Sequence, residues 1–200
     1  MFSFNWQGYR TTAWIGEALL ALTVVAALIQ GHWSNALALV CFLLAFLAFM
    51  LLAKQLPTLF DLFFIVAALL NAGGWVWGWF YLPGIYDEAV HGFTMFAITL
   101  ALSFLTYGAL LTAFHDHKLL YLAAIASFGI AIGALWEIAE WAAGNVLSTP
   151  VIGSVDDTVI DLAMDTLGSG LAALISLWAL EERVHSRVSP HRRPKSQSHF

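Results

Sequence analysis

Six apolar runs, at residues 12–30, 34–53, 58–82, 89–113, 119–142 and 157–180, take up most of the chain. A bilayer core of about 30 Å needs roughly 20 residues of helix to cross it, and each run is close to that length or longer. Inside hydrocarbon every backbone N–H and C=O must be satisfied within its own segment, so such runs fold as helices. The sequence therefore predicts an all-α fold, a polytopic transmembrane helical bundle of about six spans. Composition agrees. Only 10% of the 200 residues are charged, whereas soluble domains carry roughly 25%. Nine Trp and fifteen Phe suit a chain with aromatic belts at two membrane surfaces.

The interruptions between runs carry turn or polar chemistry: Gln30-Gly31-His32, Lys54-Gln55-Leu56-Pro57, Leu82-Pro83-Gly84 and His115-Asp116-His117-Lys118. The longest connection, 143–156, contains Gly144, Pro150 and Gly153 and is apolar enough to lie in the interface or fold over the helix ends. No small-x-small cleavage pattern follows the first run, so Trp14 to Ile29 reads as an uncleaved span. The expected organisation is an N-terminal cytoplasmic segment 1–11, a six-helix membrane domain 12–182 and a basic, disordered tail 183–200. That tail is the only basic run, so nucleic acid is not an expected partner. Cys41 has no second cysteine to pair with.

Lys and Arg positions set the expected orientation. With both termini in the cytoplasm, Arg10, Lys54, Lys118 and the tail all fall on that side, and the outer loops carry no Lys or Arg. The predicted location is the bacterial inner membrane, multi-pass, with the lipid bilayer as the obligatory partner.

Eight of the thirteen acids then gather in the outer half: Asp87, Glu88, Glu137, Glu140, Asp156, Asp157, Asp161 and Asp165, with His91 beside them. Asp157, Asp161 and Asp165 repeat at i, i+4, i+8 and share one helix face. Asp87 and His91 are an i, i+4 pair, and Glu137 and Glu140 are i, i+3. Gly129 and Gly133 form a GxxxG row that Glu137 continues. Small residues let helices approach closely in lipid, so this face should press on a neighbour and turn its carboxylates inward.

Each acid also has a bland reading. Glu88 and Asp156 suit the first turns of helices as caps and dipole partners, and Asp87 and Asp157 fit that role as well as a functional one. Ser154 and Asp157 have capping-box spacing. Glu17 and Asp61 fall near cytoplasmic ends, where an acid reaches water. The His115-Asp116-His117 loop reads as a solvated turn, and Asn71 as an interhelical hydrogen-bond donor. Glu137, Glu140, Asp161 and Asp165 differ. The first two sit near a helix C-terminus, which opposes negative charge, and the last two lie beyond the reach of a cap. Intramembrane acids cost about 2.5–3.5 kcal/mol each near a helix centre on insertion scales, and they usually mark function.

These acids lack basic partners. No Lys or Arg lies in the outer half, and several carboxylates sharing a site cannot all ionise without counter-charge. His91 supplies one positive charge at most, so protons or bound cations must supply the rest. Oxygen-rich ligation with one imidazole suits Mg²⁺, Mn²⁺, Ca²⁺ or iron, and admits Zn²⁺. The expected metal ligands are His91, Glu137, Glu140, Asp161 and Asp165, with Asp87 or Asp157 as general base. The reading that follows is a metal-dependent enzyme acting on a lipid or lipid-linked substrate. An accessory or scaffold subunit, and a proton- or cation-coupled transporter, stand as the alternatives.

Tyr86-Asp87 with His91, then Trp136-Glu137-Ile138-Ala139-Glu140-Trp141, then Asp157-Thr158 with Asp161 and Asp165-Thr166-Leu167-Gly168, resembles the YjdF-like family of bacterial inner-membrane proteins. The likeness covers roughly residues 58–180. It implies the same membrane fold and the same choice of residues. The family is a domain of unknown function, so the likeness implies no reaction.

Overall fold

A computed structural model describes residues 8–52, 56–114, 117–147 and 153–188. Among them are six helices: α1 Gly8–Ile29, α2 Trp33–Leu52, α3 Leu59–Trp77, α4 Tyr86–Phe114, α5 Lys118–Leu147 and α6 Val155–Val188. Each contains a stretch long and apolar enough to cross a membrane, and no strand occurs among the described residues. The all-α, six-span reading holds. Lys54, His115, Asp116, Pro150 and residues 189–200 of the expected tail lie outside the described residues.

Helices α1, α4 and α6 start two to four residues before the apolar runs, and the largest differences are at three C-termini. The third helix stops at Trp77 instead of reaching residue 82, and a 3-10 turn Trp79–Tyr81 follows. Gly78 takes the left-handed conformation at φ 70° that a helix C-terminus favours. The turn folds its aromatic rings back onto α3, where Gly73 and Gly74 leave room; a Cβ at either would run into Trp79 or Phe80. Hydropathy misses this break because the turn is as apolar as the helix. At its C-terminus α5 runs five residues beyond 142. Ala142 and Ala143 favour helix, and the single Gly144 costs about 1 kcal/mol relative to Ala. The sixth helix runs to Val188, past residue 182, because Glu181, Glu182 and Arg183 are good helix formers.

The helices pack as two trios. Helices α1, α2 and α3 pack on one another, as do α4, α5 and α6, and the α3–α4 contact joins the two halves. The first trio is closed by apolar side chains, with Leu20, Ala27, Leu39, Ala68 and Ala72 in one cluster and Ala13, Phe46, Met50 and Ile65 in another. The second adds small and polar contacts to its apolar clusters around Leu100, Ala172, Ile125 and Ala173. A Cβ on Gly168 of α6 would strike the Gly92 carbonyl of α4, so the two backbones are nearly in contact there. Towards the other end, Thr99 donates to Ser169 at 3.3 Å, and the Tyr121 and Ser176 hydroxyls lie 3.0 Å apart.

Candidate cation site

Antiparallel threading brings the end of α3, the start of α4, the end of α5 and the start of α6 to one end of the bundle. The acids that are scattered in sequence between 87 and 165 are therefore neighbours in space.

Each helix is fixed locally. The Tyr86 hydroxyl donates to the Leu70 carbonyl at 2.7 Å and pins the start of α4 against α3. One turn further, His91 Nε2 lies 3.7 Å from Asp87 Oδ1. At the start of α6 the Ser154 hydroxyl accepts a hydrogen bond from the Asp157 N–H at 3.2 Å, the N-cap that its spacing predicts. From that cap the i, i+4 stripe runs inward: Asp157 is half-buried, Asp161 is 4% exposed and Asp165 is fully buried. The glycine row of α5 does what small residues do in lipid. A Cβ on Gly129 would collide with Thr99 and Ser169, and one on Gly133 with Asp165. This close approach buries Glu137, two turns from Gly129, to 5% exposure.

The imidazole of His91 is the hub. Its Nδ1 lies 3.3 Å from Asp165 Oδ1 and 3.8 Å from Glu137 Oε1, while Nε2 faces Asp87. Single ligand atoms of Asp87, His91 and Asp161 all lie within 4.8 Å of one another. Opposed ligands on one ion are about 4.0–4.2 Å apart for Mg²⁺ and about 4.6–5.2 Å for Ca²⁺, so a small closure or none brings the three onto one cation. These carboxylates border a cavity of about 70 Å³. Asp87 comes from α4, Glu137 and Glu140 from α5, Asp157 and Asp161 from α6, and Trp75, Phe80 and Tyr81 close the α3 side.

Several polar atoms here are buried without a hydrogen bond: Asp161 Oδ1, Glu137 Oε1, Asp165 Oδ2 and the Trp75 indole N–H. A buried polar group left unmade typically costs about 1–3 kcal/mol, more if charged. The fully charged state is therefore untenable without added positive charge, and the donors present suit a hard or intermediate cation.

Not every acid joins in. Asp156 is exposed at the start of α6, and Asp165 borders His91 but not the cavity. The depths are greater than the short spans imply. Glu137 and Asp165 each lie ten residues from their helix end, about 15 Å along the axis. Glu17 and Asp61 were expected to reach water, but they are 7% and 5% exposed because they face into the first trio. Asp61 is paired with Arg10, Nε to Oδ2 at 3.7 Å, a partnership the sequence reading missed. Asn71 does bond across helices, donating to Thr94 Oγ1 at 3.3 Å. Trp75, Phe80 and Tyr81 were read only as interfacial aromatics or as part of a span. Their place on the cavity follows from the turn after Gly78, for which Gly73-Gly74 was the available signal.

No curated protein and no solved structure matches the chain. A family model described as a predicted membrane protein, DUF2238, matches residues 7–182, which fits the YjdF-like resemblance. Six membrane-length helices and a match along nearly the whole chain agree: this protein belongs to the DUF2238 family of predicted membrane proteins.

Proposed function

We propose that the protein holds a divalent cation at the acidic end of its second helix trio and uses it in chemistry on a lipid or lipid-linked substrate. The observation that carries this reading is Asp161 Oδ1, buried and without a hydrogen bond, on a cavity where Asp87 and His91 come within one ion's reach. Asp87, His91 and Asp161 are the proposed first ligands, with Glu137 and Glu140 completing an oxygen-rich shell. Asp165 holds Nδ1 of His91 and fixes its orientation, as a carboxylate behind a ligating histidine commonly does. Asp87, expected as a general base, is thus proposed as a ligand, and Asp165, expected as a ligand, as the group that orients His91. Asp157, half-buried on the cavity rim, is the proposed general base. A bound divalent ion supplies Lewis acidity and a lowered pKa for water at the site. The proposed setting is the extracytoplasmic face of a bacterial inner membrane, on the distribution of Lys and Arg.

Elemental analysis of purified protein beside Asp161→Ala and Glu137→Ala tests the site. The expected result is a divalent metal near one per chain in the wild type and its loss in Asp161→Ala. Metal-free wild-type protein that neither binds Mn²⁺ nor gains stability from it would overturn the proposal.

A carrier is the second reading. It draws on the α6 row that continues from Asp165 to Ser169 and Ser176, both fully buried. Ion flux in proteoliposomes, lost in Ser169→Ala with metal content unchanged, would favour it.

A further inference from the structure

A second, larger cavity of about 310 Å³ lies directly beside the carboxylates, between α2, α3, α4 and α5. Phe42, Met95, Ile98, Ile132, Leu135 and Trp136 give it apolar walls. Its polar lining is Asn71, Thr94 and His91, and the first two are bonded to each other. His91 is thus shared. It lines this cavity while its nitrogens face Asp87, Asp165 and Glu137. One imidazole separates a hydrocarbon-lined space from the proposed cation site.

The cavity also has an identifiable mouth. Helix α2 packs on α1 and α3, and α5 on α4 and α6, with no extended packing of α2 along α5. The Phe42 and Trp136 rings, with centroids 5.7 Å apart, bridge that seam. Leu135, 64% exposed, and Ala139 line the cavity and also reach the outer surface of the bundle. These positions lie 8 to 12 residues inside the end of α5, at roughly 12–18 Å along its axis. Within a membrane that surface meets acyl chains.

We infer that this cavity receives a hydrocarbon chain of a bilayer amphiphile, entering sideways between α2 and α5 past Phe42 and Trp136, and so delivers that molecule's polar end to the carboxylate site. The inference rests on the proposed site and names its substrate class. Water is a poor occupant, since a buried water needs two to four polar partners and this space offers little beyond a satisfied Asn–Thr pair and one imidazole edge. Its size falls at the lower end of small-molecule sites, about 300–1,000 Å³, which fits part of one chain and not a whole lipid. Moving a chain from the bilayer into the cavity is apolar to apolar, so the walls select by shape and entry of the chain does not depend on the cation.

The test uses full-length protein in phosphatidylcholine vesicles containing a trace of phospholipid with a diazirine on its acyl chain. Sites of photolabelling are mapped by mass spectrometry. The expected result is label at Met95, Ile98 or Ile132, falling to background in Ala139→Trp and in Ile132→Trp and rising in Phe42→Ala. Label at Leu174, an exposed position on α6, stays constant as the measure of surrounding lipid and of intact folding. Asp161→Ala loses metal yet keeps cavity labelling, so failure of the cation site and failure of the chain cavity give different results. Unlabelled cavity walls in the wild type, or equal labelling in both tryptophan variants, would overturn the inference.

Discussion

The two helix trios treat buried acid in opposite ways. In the first, Asp61 is 5% exposed and has a base of its own, Arg10, whose guanidinium also donates to the Met50 carbonyl. In the second, Glu137, Asp161 and Asp165 are equally buried and share one histidine. The first arrangement is electrically closed: the chain brings the counter-charge with it. The second is open, and its neutrality depends on something bound. Acid content alone separates a structural ion pair from a binding site poorly. The local balance of charge around a shared cavity separates them better. In the first trio Glu17 Oε2, Thr58 Oγ1 and Asp61 Oδ2 are also buried without a hydrogen bond, so such atoms alone do not make a site; Glu137, Asp161 and the Trp75 indole bring theirs to one cavity.

The largest expected effect is on the open side. Asp161→Ala removes a proposed first ligand and should weaken Mn²⁺ binding by on the order of 100-fold or more, exceeding the 10–100-fold typical of a supporting residue. Titration of purified protein by Mn²⁺ electron spin resonance reads this directly. Unchanged binding would erase the contrast between the trios. Next comes Asp165→Asn, which leaves the ligands in place but changes the group behind His91; a loss of about 10-fold, at the lower end of that range, is expected in the same titration.

Ligand-induced stability sharpens the contrast from the other direction. Mn²⁺ at a hundred times its Kd should stabilise the wild type by about 2.7 kcal/mol and Asp161→Ala hardly at all, read as the shift in thermal unfolding in detergent. Arg10→Ala should lower stability by about 1–3 kcal/mol, less than a fully buried pair because the arginine is one-third exposed, and should leave Mn²⁺ affinity unchanged. An Arg10→Leu, Asp61→Leu double variant should recover most of that loss, since an apolar pair can replace a buried ion pair. The smallest effect belongs to Ser154→Ala. Removing the α6 N-cap costs about 1 kcal/mol at an exposed helix start, visible as faster amide exchange at Asp157 with little change in metal affinity.

Much of this is legible in the sequence. The Gly129–Gly133 row predicted a close approach that buries Glu137, and Asp157, Asp161 and Asp165 were placed on one face by their spacing alone. Ser154 was identifiable as a cap. By contrast, the break of α3 at Trp77 was hidden, because Trp-Gly-Trp-Phe-Tyr is as apolar in a turn as in a helix. The Arg10–Asp61 pair was hidden too. It joins residues 51 positions apart, and only the packing of α1 on α3 brings them together.

The sequence by itself determined six spans and a set of acids with no Lys or Arg near them along the chain, because hydropathy and helical periodicity are local properties. Tertiary structure alone decided that Asp87 and Asp161 meet at His91, that Asp165 stands behind it, and that an apolar cavity opens on the other side of the same ring. The physical reason is that a lipid-facing and a protein-facing helix surface can be equally apolar. The rotation of each helix about its axis is then set by where small residues let backbones touch, and it is that rotation that aims the side chains.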